Sequence, residues 1–235
     1  MSDTVVVVVP DADVLASSVA ARLVTSIIDA QAVRGTAGVV LTGGRIAAKV
    51  LQSVRDLPAA AAVDWSRVDL YWGDERFLPA GDPERNETQA REALLDRLAL
   101  TPGRVHAMPA SDGPDGDDAA AAAERYAADV AGAHFDVLML GVGEDGHVAS
   151  IFPGHPAGDA TAATAAVHDS PKPPPVRITL TLPAIRTAAE VWLIASGDGK
   201  ADAVGAALTG ADLPAAHATG TARTLWLLDR AAAKR

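Results

Sequence analysis

The chain has 235 residues, of which 49% are hydrophobic, and its 20 Lys and Arg against 30 Asp and Glu give a formal charge of −10. This length and apolar fraction predict one folded domain over residues 1–235 and argue against intrinsic disorder. The acidic balance argues against nucleic acid or an anionic membrane as a partner, and the lack of cysteine excludes disulfides, thiolate catalysis and zinc–thiolate sites.

Strands and helices alternate along the predicted secondary structure. Strands are predicted at 4–9, 38–41, 68–72, 137–142, 176–180, 191–195 and 224–228, and helices at 11–32, 45–54, 87–98, 119–130 and 200–208. The segments 73–85, 111–118 and 154–175 are predicted as loops. The alternation predicts right-handed crossovers and an α/β, Rossmann-like fold, with a mostly parallel sheet and helices on both faces.

A glycine-rich turn follows the predicted strand at 137–142 and contains Asp145 and His147. Ligands bind at the carboxyl ends of parallel strands, and histidine exchanges protons near neutral pH. We therefore expect both side chains at the mouth of a cleft, although His147 could also be a structural histidine. The glycine spacing matches a dinucleotide fingerprint, but no acidic strand end follows about 20 residues later, so NAD binding is rejected.

Two other strand ends lead through glycines into predicted helices. In the segment 42–45 (Thr-Gly-Gly-Arg), free N–H groups at a helix N-terminus suit phosphate, and Arg45 adds a charged donor. In the segment 196–200 (Ser-Gly-Asp-Gly-Lys), Lys200 opposes the helix dipole unless an anion binds there. The alternatives are an ordinary tight turn in the first case and a simple helix cap in the second.

Charged residues also mark two further segments. Asp74, Glu75 and Arg76 follow the strand at 68–72, where they form either a buried ion pair, a catalytic group or a solvated loop. Lys172 and Arg177 flank three consecutive prolines, which stiffen the approach to the next strand. We expect these two cations to project from a rigid support, the alternative being a solubilising pair on a linker.

All of these groups except the proline-led segment fall at the carboxyl ends of predicted strands, which share one edge of a parallel sheet. The cations expected to converge there are Arg45, Arg76, Arg177 and Lys200. The proton-transfer groups beside them are Asp74, Asp145 and His147. A local cationic pocket on an acidic protein indicates a phosphorylated small molecule as the ligand.

The chain resembles the family that contains glucosamine-6-phosphate deaminases and 6-phosphogluconolactonases. The motifs that carry the resemblance are Thr42-Gly43-Gly44, Trp72 to Arg76, Gly141 to Gly154, Pro173 to Pro183 and Gly197 to Ala201. The sequence Ser-Ile-Phe-Pro-Gly at 150–154 has the lactonase form, and Arg76 stands where deaminases usually carry tyrosine.

This resemblance implies a deaminase-like fold and hydrolysis of a phosphorylated sugar lactone without a metal or cofactor. It implies His147 as the general base on water, oriented by Asp145 or Asp74, with Arg76 or a backbone N–H stabilising the oxyanion. The residues implied at the phosphate and sugar are Gly43, Gly44, Arg45, Arg177, Lys200 and Lys172.

The chain departs from the family after the glycine turn, where Arg45-Ile46-Ala47 replaces the usual hydroxyl-bearing residues. Either Arg45 compensates by charge, or the site depends on the backbone, Arg177 and Lys200. The alternative functions are an amino-sugar-phosphate deaminase or isomerase, a non-catalytic sugar-phosphate sensor and an inactive homologue. We further expect a monomer in the cytoplasm, because no apolar stripe, membrane span or signal peptide is evident.

Overall fold

The computed structural model describes residues 3–234, and these form a central parallel sheet and a smaller antiparallel sheet. The strands are β1 (Asp3–Val9), β2 (Ala37–Leu41), β3 (Val68–Trp72), β4 (Asp74–Arg76), β5 (Val137–Gly141), β6 (Thr164–Val167), β7 (Arg177–Leu180), β8 (Glu190–Ala195) and β9 (Arg223–Asp229). The predicted positions of the central strands are confirmed to within about two residues at each end, the usual uncertainty of strand boundaries.

The central sheet has the strand order β1-β9-β8-β5-β2-β3, and every neighbouring pair is parallel. The strands β2, β5 and β8 are buried along almost their whole length, as expected for a parallel sheet covered on both faces. From β2 the chain moves outward to β3 on one side, and from β5 it moves through β8 to β9 on the other. The strand order therefore reverses between β2 and β5, and a ligand crevice forms at such a point.

The helices are α1 (Ala12–Arg34), α2 (Arg45–Asp56), α3 (Asn86–Ala93), α4 (Ala119–Val130), α5 (Leu182–Ile185), α6 (Ala201–Leu208), α7 (Pro214–His217) and α8 (Arg230–Ala233). Helix α1 begins where the Asp11 carboxylate accepts the N–H groups of Asp13 and Val14, and it ends at Gly35 in the left-handed conformation. The first is a common N-cap of α-helices and the second a common C-cap. Among the described residues, no helix is long and apolar enough to cross a membrane.

The smaller sheet has the strand order β4-β7-β6 with antiparallel pairing, and α4 packs against it. It corrects two expectations. The segment 73–85, predicted as a polar loop, contains β4, and the segment 154–175, predicted as irregular, contains β6 and a 3-10 turn. Strands of three or four residues carry too little alternation to be recognised, and their pairing with β7 supplies the hydrogen bonds that hold them.

Candidate active site

A cleft of about 660 Å³ opens where β2, β3, β5 and β8 end. The predicted site residues that line it are Gly43, Gly44, Arg45, Asp74, Arg76, His147, Lys172, Arg177 and Lys200. Asp145 lies beside His147 and contacts it directly. The structure therefore brings together residues that are up to 157 positions apart in the sequence, from 43 to 200.

His147 is held by its own glycine-rich loop. Its Nδ1 lies 2.5 Å from Oδ1 of Asp145, and the loop closes where the N–H of Gly143 donates to the carbonyl of His147 at 2.8 Å. A Cβ atom at position 143 would lie 1.9 Å from Nδ1, so only glycine permits this approach. Since the carboxylate accepts the Nδ1 proton, the lone pair of the imidazole lies on Nε2.

The electrostatics of this pair keep the imidazole neutral and the carboxylate charged. Burial lowers the pKa of His147, and the hydrogen bond and charge of Asp145 offset only part of that effect. Burial alone would raise the pKa of Asp145, but the hydrogen bond and charge of His147 hold it below its usual value. A neutral histidine with an ionised partner is the state that a general base requires at neutral pH.

Asp74 is a buried carboxylate with several partners. Its Oδ2 accepts from the hydroxyl of Ser150 at 2.6 Å and lies 3.9 Å from Nη1 of Arg177. Its Oδ1 lies 3.4 Å from the side-chain amide of Asn86. Of the two carboxylates proposed to orient the imidazole, Asp145 is therefore the one that contacts it, and Asp74 is held among other donors.

Arg76 is fixed by the first residue of α3. Its Nη1 donates to Oδ1 of Asn86 and to the carbonyl of Glu84, both at 2.7 Å. Asn86 is fixed in turn because the buried Glu75 carboxylate accepts its backbone N–H at 2.7 Å and that of Glu87 at 2.9 Å. Burial raises the pKa of Glu75 to about 7, against the opposing effects of Arg85 and the backbone N–H groups. Glu75 thus acts as the cap of α3, a helix without a side-chain cap of its own.

Arg177 does not project freely into the cleft, which corrects the expectation for the proline-led segment. Its guanidinium is buried and donates to the backbone carbonyls of Lys172, Pro173 and Pro174 at 3.0 to 3.2 Å. We call residues 170–176 the proline strap. Arg177 holds this strap because a buried guanidinium must satisfy its donors, and Lys172 is exposed on it together with three of the prolines, Pro171, Pro173 and Pro175.

The other end of the cleft is the expected anion site. Helix α2 begins at Arg45 without a side-chain cap and without an acidic residue in its first turn, which leaves its N–H groups to an anion. Lys200 approaches the cleft from the turn before α6. Burial lowers the pKa of Lys200, and the positive charges of Lys172 and Arg45 add to that effect, while Glu144 opposes it.

Three residues around the cleft were missed by sequence reasoning. Asn86 and Lys49 line it, and the hydroxyl of Ser150 donates to the Asp74 carboxylate. The sequence carried a signal for two of these residues. Ser150 lies in the motif that contains Asp145 and His147, and Lys49 follows Arg45 by one helical turn. Asn86 had none, because its proximity to Arg76 depends on Glu75 and on the position of α3.

The fold and the site together define an α/β protein whose switch-point cleft holds a histidine–carboxylate pair among cations. The family described as glucosamine-6-phosphate isomerases/6-phosphogluconolactonase matches residues 10–226, and the chain belongs to this family. A 6-phosphogluconolactonase of Streptomyces coelicolor is 59% identical over 248 aligned positions, covering 99% of this chain and 95% of the relative. One from Mycobacterium tuberculosis is 50% identical, covering 95% of each chain.

A solved structure extends the comparison to the fold. The crystal structure of 6-phosphogluconolactonase from Thermotoga maritima superposes with a TM-score of 0.86 at 27% identity, covering 97% of this chain and all of the other. The predicted fold class and family resemblance are thus confirmed.

Proposed function

We propose that this protein is a hydrolase that opens 6-phospho-D-glucono-1,5-lactone to 6-phospho-D-gluconate. The observation that carries the proposal is the His147–Asp145 pair, which faces a cleft lined by Arg45, Arg76 and Lys200. The family and the names of its relatives agree with it. A phosphorylated lactone needs a base for water and cations for its phosphate, and this cleft supplies both.

His147 acts as the general base. Its Nε2 takes a proton from a water molecule, which attacks C1 of the lactone, and the hydroxide oxygen forms the new C–O bond. The tetrahedral intermediate collapses by breaking the bond from C1 to the ring oxygen, and His147 returns the proton to that oxygen. A positioned base of this kind contributes about 10²- to 10⁴-fold in rate, roughly 3–5 kcal/mol.

Arg76 stabilises the oxyanion. It lines the cleft, and its Nη1 is held by Asn86 and Glu84, so the guanidinium needs little reorganisation as charge develops. Backbone N–H groups of the loop that follows β5 are the second source of donors. The phosphate binds at the start of α2, between Gly43, Gly44 and Arg45, with Lys200 and Lys172 completing the site.

The contacts of Asp74 favour this reaction over deamination of an amino sugar. In a deaminase of this architecture, Asp74 would remove a proton from C2 of the sugar. Here its oxygens already accept from Ser150 and approach Asn86 and Arg177. These contacts direct both carboxylate oxygens toward donors of the protein. Asp74 instead balances the charge of Arg177 and positions the sugar.

The test is hydrolysis of freshly generated 6-phosphoglucono-1,5-lactone, followed as acid release above the spontaneous rate. Unphosphorylated gluconolactone and glucosamine 6-phosphate are run in parallel, and His147→Ala is the control for uncatalysed opening. Fast opening that depends on the phosphate and on His147 supports the proposal. Release of ammonia from glucosamine 6-phosphate would assign a deaminase, and no turnover of any substrate would leave a sugar-phosphate sensor or an inactive homologue.

A further inference from the structure

Phe152 lies behind the site and belongs to no part of the mechanism above. Its side chain is buried, with 3% exposed, and it is not among the residues that line the cleft. With Ala157 and Val167 it forms a small apolar cluster that is separate from the main hydrophobic core. Because this ring lies in a small separate cluster and not in the main core, its position calls for a local reason.

The ring of Phe152 lies close to two functional side chains. Its centroid is 4.6 Å from that of the His147 imidazole, with the planes tilted by 41°. The guanidinium carbon of Arg177 lies 6.0 Å from the same centroid, at the outer limit of a cation–π contact. The ring is the apolar surface against which the imidazole packs.

Phe152 is itself fixed by the segment that follows it. The N–H of His155 donates to its carbonyl at 3.1 Å, and the ring of His155 meets the phenyl ring edge-on at 6.4 Å. His155 accepts the N–H of Ala157 at Nδ1 and donates from Nε2 to the carbonyl of His168. With both ring nitrogens committed, His155 holds Phe152 in one orientation.

We propose that Phe152 is a positioning residue for His147, whose ring shields one side of the imidazole from water and ties its orientation to Arg177 and the proline strap. The inference rests on the proposed function for its kinetic consequences only. Its physical content is the environment of His147, which can be measured without substrate.

Burial of the imidazole supports this role, because desolvation is the main cause that lowers the pKa of His147. The charged groups that face His147 are Asp145 on its own loop, Asp74 on β4 and Lys172 on the proline strap. The two carboxylates raise its pKa and the ammonium lowers it. Replacing Phe152 changes none of these charges, so a change in the titration of His147 would report the apolar contact.

The test compares Phe152→Leu with a matched control, Phe135→Leu. Phe135 is equally buried, with 3% exposed, but it lies just before β5 at the opposite end of that strand and packs against Tyr71. The titration of His147 is followed by NMR through its Cε1 proton, which is assigned by its absence from the spectrum of His147→Asn. The pH profiles of kcat and kcat/KM are measured on the same proteins.

Phe152→Leu is expected to raise the pKa of His147 toward the ordinary value of 6.5 and to lower kcat about tenfold or more with a smaller change in KM. Phe135→Leu is expected to lower thermal stability by a similar amount and to leave both the titration and kcat as in the wild type. If Phe152→Leu does not fold, the same measurements are made on Phe152→Met, whose flexible apolar side chain fills the same space.

An unchanged His147 titration in a folded Phe152 variant would overturn the inference, as would an equal shift in Phe135→Leu. The failure of the proposed function looks different. In that case the wild-type protein does not hydrolyse the lactone, while the NMR titration still decides whether Phe152 controls the environment of His147.

Discussion

Replacing Asp145 by Asn removes the negative charge next to His147 while keeping the size of the side chain. In the native protein, Oδ1 of Asp145 lies 2.5 Å from Nδ1 of His147, and this contact keeps the Nε2 lone pair available. The Asn amide can accept the same proton, but it can also donate to Nδ1 and stabilise the tautomer that cannot act as a base. The substitution therefore tests both charge and tautomer.

The magnitude follows from the geometry. A hydrogen bond between a charged group and a polar partner contributes about 1.5–3 kcal/mol. The side chain of Asp145 is 40% exposed, so solvent screens part of this energy and about 2 kcal/mol is expected. We therefore expect kcat to fall about 30-fold, less than the loss of about 10²-fold or more in His147→Ala, where the base itself is absent.

The pH profile gives the second readout. Asp145 raises the pKa of His147 against the opposing effect of burial, so Asp145→Asn lowers that pKa further. The acid limb of kcat/KM is expected to move to lower pH, opposite in direction to Phe152→Leu. Acid release from the phosphorylated lactone is measured across this limb, with the rate of His147→Ala subtracted. A wild-type kcat together with an unmoved acid limb would refute the role of Asp145.

Three other substitutions test the anion site, the proline strap and the buried network. Lys200→Ala is expected to raise KM for the phosphorylated lactone about tenfold with little change in kcat, and the same rise with unphosphorylated gluconolactone would contradict a phosphate role. Arg177→Lys loses the contacts to three strap carbonyls and is expected to lower the free energy of unfolding by about 2 kcal/mol, measured by urea denaturation. An unchanged free energy of unfolding would show that these hydrogen bonds do not stabilise the strap. Because burial raises the pKa of Glu75 from 4.5 to about 7, its contribution to the free energy of unfolding falls by about 3 kcal/mol as pH rises through that window. Glu75→Gln is expected to remove this pH dependence of the free energy of unfolding, measured by urea denaturation at pH 5 and pH 8. The same pH dependence in both proteins would be evidence against the protonation of Glu75.

Local signals in the sequence were sufficient to predict the central sheet. The valine run of β1 and the apolar run of β5 are long enough to show their type, and Asp11 marks the start of α1 before a long helical pattern. The glycines at 43, 44, 143 and 146 mark strand ends, and strand ends of a parallel sheet meet at one edge. For this reason the convergence of Arg45, His147 and Lys200 could be predicted without any knowledge of their distances.

The sequence by itself determined the strands of the central sheet, the longer helices, the edge of the sheet where the cleft lies and the residue types at that edge, because these depend on short-range patterns and on one general rule of parallel sheets. Only the tertiary structure decided how those residues are held. The contact between Ser150 and Asp74 joins positions 76 residues apart, and Asn86 reaches Arg76 because a buried Glu75 caps α3. Arg177 donates to strap carbonyls three to five residues before it, and Phe152 packs on His147 five residues away. These two contacts are local, but they depend on how the loops turn, which the residue pattern does not specify. The contacts of Ser150 and Asn86 depend on packing between separate elements, for which no local pattern exists.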